Sequence, residues 1–95
     1  MRSRKYHAKL MDDLQDPAEA AAYLDAALEA GDREAFLLAV KHVAEARGGM
    51  TRLAKTAALN REHLYRMLSK DGNPEIQSLA TVLQALGLRL SIEAA

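Results

Sequence analysis

The stretch TRLAKTAALNREHLYRMLS, from Thr51 to Ser69, holds two short segments with apolar residues at helical spacing, separated by only three residues. Counted from Met50, the apolar positions are the fourth, eighth, tenth, fifteenth and eighteenth, occupied by Leu53, Ala57, Leu59, Leu64 and Met67. This pattern predicts a helix of about eight residues, a turn formed by Ala58, Leu59 and Asn60, and a second helix that crosses the first. Asn60 is a favourable N-cap for that second helix.

The second predicted helix has an apolar side and a polar side. At about 100° per residue, Leu64, Met67 and Leu68 point towards the core, and the polar residues point away from it. The polar side comprises Glu62, Tyr65, Arg66 and Ser69, and Arg61 projects from the N-terminal end of the helix. A helix whose inner side is buried and whose outer side is free has the geometry of a recognition helix, which enters the major groove of DNA.

The residue types on this outer side suit base recognition. The planar fork of arginine bonds guanine O6 and N7, glutamate accepts from cytosine N4, and a tyrosine ring packs on a thymine methyl group. We therefore predict four base-reading residues, Arg61, Glu62, Tyr65 and Arg66. Six further residues are predicted to contact the DNA backbone: Thr51, Arg52, Lys55, Asn60, Ser69 and Lys70. The alternative is a solvated amphipathic helix pair without a ligand.

The charges of the chain are segregated along it. Thirteen basic and thirteen acidic residues give a net charge of zero. Residues 10–34, the acidic segment, contain eight acidic residues and one basic residue, whereas residues 47–70, the basic segment, contain six basic residues and one acidic residue. Because the local field governs encounter with a polyanion, the neutral total does not exclude DNA binding. The acidic segment fits either a solvated surface or a basic partner protein.

The rest of the chain predicts one helical domain. Asp16-Pro17 and Asp32 begin two helices, Gly31 separates them, and Gly48-Gly49 ends the second. Their predicted apolar stripes comprise Ala20, Tyr23, Leu24, Ala27 and Leu28, followed by Phe36, Leu37, Val40, Val43 and Ala44. A last helix is expected from about Ile76 to Leu86, with Ile76, Leu79, Val82, Leu83 and Leu86 facing inward. Residues 88–93 alternate apolar and polar side chains, which predicts a strand that needs a partner, or else an irregular tail packed on the core.

The N-terminal residues are predicted to form a segment separate from this domain. We expect residues 1–15 to form an N-terminal arm with a short helix at Tyr6 to Leu14, and residues 16–95 to form the helical domain, with the helix-turn-helix at 50–69. The arm carries Arg2, Arg4, Lys5 and Lys9. It is either a mobile, solvated end or a segment that reaches a phosphate backbone or minor groove.

Other function classes find little support in the sequence. The chain has no cysteine, and its three histidines have no metal-ligand spacing. No phosphate loop, nucleophile elbow or triad spacing is present, so we expect neither an enzyme nor a cofactor or metal site. No apolar run approaches the roughly 18 residues that span a bilayer, and no signal peptide is visible, so we expect a cytoplasmic protein that binds no membrane.

The predicted helix-turn-helix is part of a longer segment that resembles known protein families. The segment from Phe36 to Leu90 resembles a lambda-repressor-like (Xre-type) helix-turn-helix domain. The longer segment DPAEAAAYLDAALEAGDREAFLLAVKHVAEARGGMTRLAKTAALNREHLYRMLSKDGNPEIQSLATVLQALGLRLSI is similar to HigA-like addiction-module antidote proteins. Two positions depart from the superfamily pattern. Ala58 stands where the turn usually has glycine, and Met50 stands where a phosphate-contacting glutamine is common.

The resemblance implies an all-α domain of five or six helices with a short C-terminal strand. It also implies an antitoxin that represses its own operon and neutralises a RelE/ParE-like (HigB-like) toxin. Since one recognition helix reads only a few base pairs, we expect a homodimer on a palindromic operator. The alternatives are a free-standing prophage-type repressor without a toxin and an interaction adaptor that does not bind DNA.

Overall fold

The structure, a computed structural model, describes the backbone of residues 2–95 and the side chains of residues 4–95. Its helices, in chain order, are α1 (Arg2–Asp13), α2 (Pro17–Glu29), α3 (Arg33–Ala46), α4 (Gly49–Ala57), α5 (Arg61–Met67) and α6 (Ile76–Ala85). The prediction of an all-α fold with five or six helices is therefore confirmed. None of the helices within residues 2–95 is long and apolar enough to cross a bilayer.

The predicted helix starts are present as hydrogen-bonded caps. The Asp16 carboxylate accepts from the Ala18 amide at 2.9 Å, and Pro17 occupies the first helical position of α2. The Asp32 carboxylate caps α3 by accepting from the Ala35 amide at 3.2 Å. Such caps satisfy amide groups that have no partner within the helix, which is why the boundaries follow the local sequence closely.

The core is built around α3. This helix packs against α1, α2 and α4, and α4 in turn packs against α5 and α6. All five residues of the stripe predicted for α3 are buried: Phe36, Leu37, Val40, Val43 and Ala44. Leu64 of α5 and Val82 of α6 are also fully buried. Each such aliphatic side chain contributes about 1.5–3 kcal/mol relative to an exposed position, so the interior holds the helix pair α4–α5 in place.

Two residues of the predicted stripes were assigned wrongly to the core. Leu28 is 56% exposed because the chain segment beside it, which includes Leu88 and Leu90, lines a groove next to α2 without filling it. Ile76 is 77% exposed because it lies in the first turn of α6, where no other element covers it. The remaining predicted residues of α6 are buried or half-buried.

The N-terminal helix begins earlier than predicted. The sequence pattern indicated a helix from Tyr6 to Leu14, whereas α1 starts at Arg2 and packs on α3. The side chain of Arg2 lies outside the described residues. Lys9 lies on this helix, and its ammonium group lies 3.3 Å from the Asp13 carboxylate one turn further on.

Side chains of α1, α2 and α3 form a half-exposed polar junction. His7 lies 3.4 Å from the Glu45 carboxylate, and the Tyr23 hydroxyl shares a 2.8 Å hydrogen bond with Nδ1 of His42. Burial raises the pKa of the Tyr23 hydroxyl above its usual value, and the charge of Tyr6 adds to the effect. The polar junction thus joins α1 to α3 through His7 and Glu45, and α2 to α3 through Tyr23 and His42.

The predicted C-terminal strand is absent from residues 2–95. After α6 the Leu88 amide donates to the Leu83 carbonyl at 2.8 Å, and the following residues form neither helix nor strand. The alternation of apolar and polar residues at 88–93 is present, but a strand needs a neighbouring strand to satisfy its backbone groups. The chain supplies none there, so the C-terminal strand predicted for the domain is not seen in the single chain, and residues 88–93 form an irregular tail.

Candidate nucleic-acid interface

The turn between α4 and α5 is compact and hydrogen-bonded. The Ala58 amide donates to the Lys55 carbonyl at 3.2 Å, and the Leu59 amide donates to the Ala54 carbonyl at 2.9 Å. Ala58 adopts a left-handed conformation with φ 55° and ψ 43°. Alanine there costs about 1 kcal/mol relative to glycine, which the buried contacts on both sides of the turn offset.

Asn60 begins α5 as predicted. Its side-chain oxygen accepts from the His63 amide at 3.1 Å, which satisfies one of the free amides of the first turn. On the inner side of the helix, Leu64 is fully buried and Met67 is 6% exposed. The burial of this side fixes the rotation of α5 about its axis, and therefore decides which side chains face outward.

The residues predicted to read bases lie together on the outer side of α5. Arg61, Glu62, Tyr65 and Arg66 are all exposed. The Arg61 guanidinium carbon lies 5.5 Å from the centroid of the Tyr65 ring, within the range of a cation–π contact. Tyr65 retains 40% exposure, so its ring still presents a surface to solvent beside two cationic groups.

The second cation is Lys41 of α3, which sequence reasoning missed. Its ammonium nitrogen lies 6.0 Å from the centroid of the Tyr65 ring. Lys41 lies outside the segment with the helix-turn-helix spacing. It comes near Tyr65 because α3 packs against α4, which is joined to α5 by a short turn. Its position next to the buried Val40 placed it on the edge of the α3 stripe, but nothing in the sequence linked it to Tyr65.

The predicted backbone contacts on α4 are also exposed. Thr51, Arg52 and Lys55 all lie on the solvent side of this helix, opposite the buried Leu53 and Ala54. Gly48 precedes α4 as its N-cap, and no side chain accepts a hydrogen bond from the first amides of the helix. The Arg52 side chain packs against Gly48. It therefore lies next to the N-terminus of α4, which is the positive end of the helix dipole.

Ser69 and Lys70 lie beyond α5, because the helix ends at Met67 rather than continuing to Ser69. The half-buried Ser69 hydroxyl donates to the Arg66 carbonyl at 2.8 Å, while Lys70 is exposed. Gly72 turns the chain away from α5, and a Cβ atom there would collide with the Met67 carbonyl. This close approach brings the loop that carries Lys70 against the end of α5.

Most of the cations around α4 and α5 remain available. The ion pairs found within the described residues join His7 to Glu45 and Lys9 to Asp13, both at the polar junction or on α1. Arg47, by contrast, is occupied, since its guanidinium donates to the Gln15 carbonyl at 2.9 Å and ties the start of the basic segment to the loop before α2. Among residues 4–95 no group of three or more His, Asp or Glu side chains is placed to hold a metal ion.

The fold and this surface fit a small all-α domain of the helix-turn-helix kind, with a cationic outer face on its second motif helix. The sequence profile of the family described as "probable addiction module antidote protein" matches residues 5–94. The chain belongs to this family, whose description implies a toxin partner.

A protein of Haemophilus influenzae, described only as uncharacterized, is 33% identical to the chain over 82 residues. The match covers 86% of this chain and 84% of that protein, so the similarity extends over most of the chain rather than the motif alone. No solved structure matches the chain with statistical significance.

Proposed function

We propose that the protein is the antitoxin of a type II toxin–antitoxin module, that it binds DNA and represses its own operon, and that it neutralises a RelE/ParE-like (HigB-like) toxin. The observation that carries the DNA-binding part is the cationic outer face of α5, which the burial of Leu64 and Met67 directs into solvent. Family membership supports the antidote part. In this proposal the domain is of the lambda-repressor-like (Xre) kind, acts in the cytoplasm, and is a binding protein rather than an enzyme.

The proposed reading of DNA follows the geometry of the helix pair. With α5 in the major groove, Arg61, Glu62, Tyr65 and Arg66 face base edges, where bidentate arginine contacts give the largest discrimination. The residues that set the position on the phosphates are Thr51, Arg52, Lys55, Asn60, Ser69 and Lys70. Lys41, which approaches Tyr65 from α3, adds a cation at the edge of the same surface.

The proposed assembly on DNA is a homodimer. The seven-residue α5 has two turns and reaches only a few base pairs. Two copies related by a two-fold axis double the contacts on a palindromic operator with half-sites one helical turn apart.

The toxin contact is proposed for the acidic segment, residues 10–34. Its carboxylates lie on α1, on α2, at the N-caps of α2 and α3 and in the first turn of α3, and most of them are exposed. The proposed toxin class is small and basic, so charge complementarity would steer and orient the encounter. This surface is separate in sequence from the DNA-reading residues, which allows one chain to bind both partners.

The first experiment is a titration of the purified chain against its own promoter fragment and against a scrambled fragment, at two salt concentrations. We expect tight binding to the promoter alone, weakened by salt because phosphate contacts release counterions. Equal, weak binding to both fragments would contradict sequence-specific repression. Repeating the titration with the product of the neighbouring gene distinguishes a domain that needs its toxin for DNA binding from an adaptor that does not bind DNA.

A matched pair of variants separates phosphate contacts from the general charge of the chain. Lys55→Ala should weaken binding to all DNA sequences alike and reduce the salt slope by about 1, because it removes one phosphate contact. Arg33→Ala removes an exposed cation from the acidic segment and should leave both affinity and slope unchanged. An unchanged salt slope for Lys55→Ala would remove this residue from the proposed interface.

A further inference from the structure

The tail that follows α6, residues 88–93, leaves an apolar surface uncovered in the single chain. Ile92 is 101% exposed and Leu90 is 40% exposed. Leu88 and Leu90 line a groove of about 550 Å³ together with Leu24 and Leu28 of α2, and Leu28 is itself 56% exposed. The groove has an apolar lining from two elements and lies beside residues 89–93, whose backbone groups make no backbone hydrogen bonds within the described part of the chain. Such a surface is suited to a further strand.

The tail is complementary to itself in one antiparallel register. When Ser91 faces Ser91 of a second copy, Leu90 lies opposite Ile92 of that copy and Arg89 lies opposite Glu93. By two-fold symmetry each of these pairs occurs twice. Residues directly opposite in an antiparallel pair have Cβ atoms about 4.5–5.5 Å apart, so the apolar pairs touch and the opposite charges attract.

Neighbouring registers lose this match. A shift of one residue places Leu90 opposite a polar residue and turns one apolar face outward. A shift of two residues keeps apolar side chains together but places Arg89 and Glu93 opposite serine, alanine or glycine instead of each other. Only the register centred on Ser91 satisfies both the apolar and the charged side chains.

The same register uses the groove beside α2. Leu88, Leu90 and Ile92 fall on one side of a strand, and Leu88 already packs against the core. Ile92 of a second copy, directly opposite Leu90, would therefore lie on the core side, over the groove that Leu24 and Leu28 line. Arg89, Ser91 and Glu93 fall on the other side, where the charged pairs remain in contact with water.

We propose that residues 88–93 pair antiparallel with the same residues of a second copy of the chain, in the register that places Ser91 opposite Ser91, and that this ribbon closes over α2 as a dimer interface. The inference rests on the homodimer of the proposed function, but it does not depend on DNA binding. A two-stranded ribbon alone is marginally stable, so the groove at Leu28 supplies the additional apolar contact.

Cysteine cross-linking tests the register, because the natural chain has no cysteine. In the proposed register the Cα atoms of the two Ser91 residues lie about 4.5–5.5 Å apart, within the range of a disulfide bond. Ser91→Cys should form a covalent dimer with oxidised glutathione. The control Ala94→Cys is equally exposed, but its two copies would be about 20 Å apart, since each lies three residues from the centre in opposite directions. Equal cross-linking of both variants, or of neither, overturns the register.

Charge reversal tests the pairing without a covalent bond. Sedimentation of the full chain, without DNA, across about 1 µM to 1 mM gives the dimer dissociation constant. Arg89→Glu and Glu93→Arg should each raise it about tenfold, because each places like charges opposite one another twice. The double variant, and an equimolar mixture of the two single variants, should return to within about threefold of the natural chain. Circular dichroism checks that these exposed changes leave the helices intact.

The outcomes separate this inference from the proposed function. A natural chain that stays monomeric throughout the series, or a dimer that neither single reversal weakens, overturns the interface even when promoter binding is intact. A dimer that responds to reversal and rescue supports the interface even when the promoter titration fails. If the tail instead pairs with the toxin, the single chain is monomeric and the reversals weaken only the toxin complex, which overturns pairing with a second copy.

Discussion

The polar junction and the helix pair α4–α5 use opposite arrangements of side chains. At the polar junction, ionisable side chains lie between helices, with His7 against Glu45 and Tyr23 against His42. In the helix pair the interior is apolar and the charged groups face solvent. Half-exposed polar contacts contribute little net stability, whereas the apolar interior fixes the position of an outer face. The buried interior of the helix pair thus holds the outer side chains of α5 in place, as the proposed recognition of DNA requires.

The largest effect is expected from removing the interior of the helix pair. Leu64→Ala should lower the free energy of unfolding by about 2–5 kcal/mol, because Leu64 is fully buried and the surroundings cannot close the cavity. Leu28→Ala, the same change at a residue that is 56% exposed, should cost far less. Urea denaturation of both variants makes the comparison. Similar losses would show that the groove at α2 matters as much to the fold as the interior of α5.

The next effect is on binding rather than on stability. Arg66→Ala should weaken promoter binding by about 1–3 kcal/mol and relax the preference at one base position in each half-site, because the guanidinium of Arg66 bonds a base edge in the proposed interface. Its thermal unfolding should match that of the natural chain, since Arg66 is exposed. Binding to a set of single-base operator variants measures the preference. A loss that is equal on every sequence would make Arg66 a phosphate contact instead, with Arg33→Ala again as the control.

A smaller effect tests the turn that sets the crossing of α4 and α5. Ala58→Gly should stabilise the fold by about 0.5–1 kcal/mol, because glycine adopts the left-handed φ of 55° without the clash of a Cβ atom. The same change at the exposed Ala26, inside α2, should destabilise the fold by up to about 1 kcal/mol. Chemical denaturation reports both signs. Destabilisation by Ala58→Gly would mean that the turn carries no strain that glycine can relieve.

The smallest effect concerns pH and the polar junction. Burial raises the pKa of the Tyr23 hydroxyl in the folded chain, so its contribution to stability is complete below the unfolded pKa of about 10. This contribution is lost as the pH rises through the folded pKa. Phenylalanine cannot ionise, so Tyr23→Phe should lose less stability than the natural chain when the pH is raised from 8 to between 10 and 11. Thermal melts across this range test the slope, and equal slopes in both proteins would contradict the role of Tyr23.

Features set by neighbouring residues were predictable from the sequence. The caps at Asp16, Asp32 and Asn60 and the sets of residues that share the apolar sides of α3 and α5 follow from interactions within one or two turns of helix. A capping hydrogen bond joins residues two or three apart, and helical periodicity decides which residues share a side. For the same reason the two helices α4 and α5 could be predicted, together with the turn at Ala58.

Features that join distant segments were decided by the tertiary structure. The approach of Lys41 to Tyr65, the use of Arg47 to hold the Gln15 carbonyl, and the exposure of Leu28 and Ile76 depend on how whole helices pack. The strand pattern at 88–93 shows the same limit, because alternation determines which side chains share a face but cannot supply the second strand. The sequence alone thus determined the helices and their faces. Tertiary packing decided which of those faces are covered, because contact between elements depends on their relative placement rather than on any local pattern.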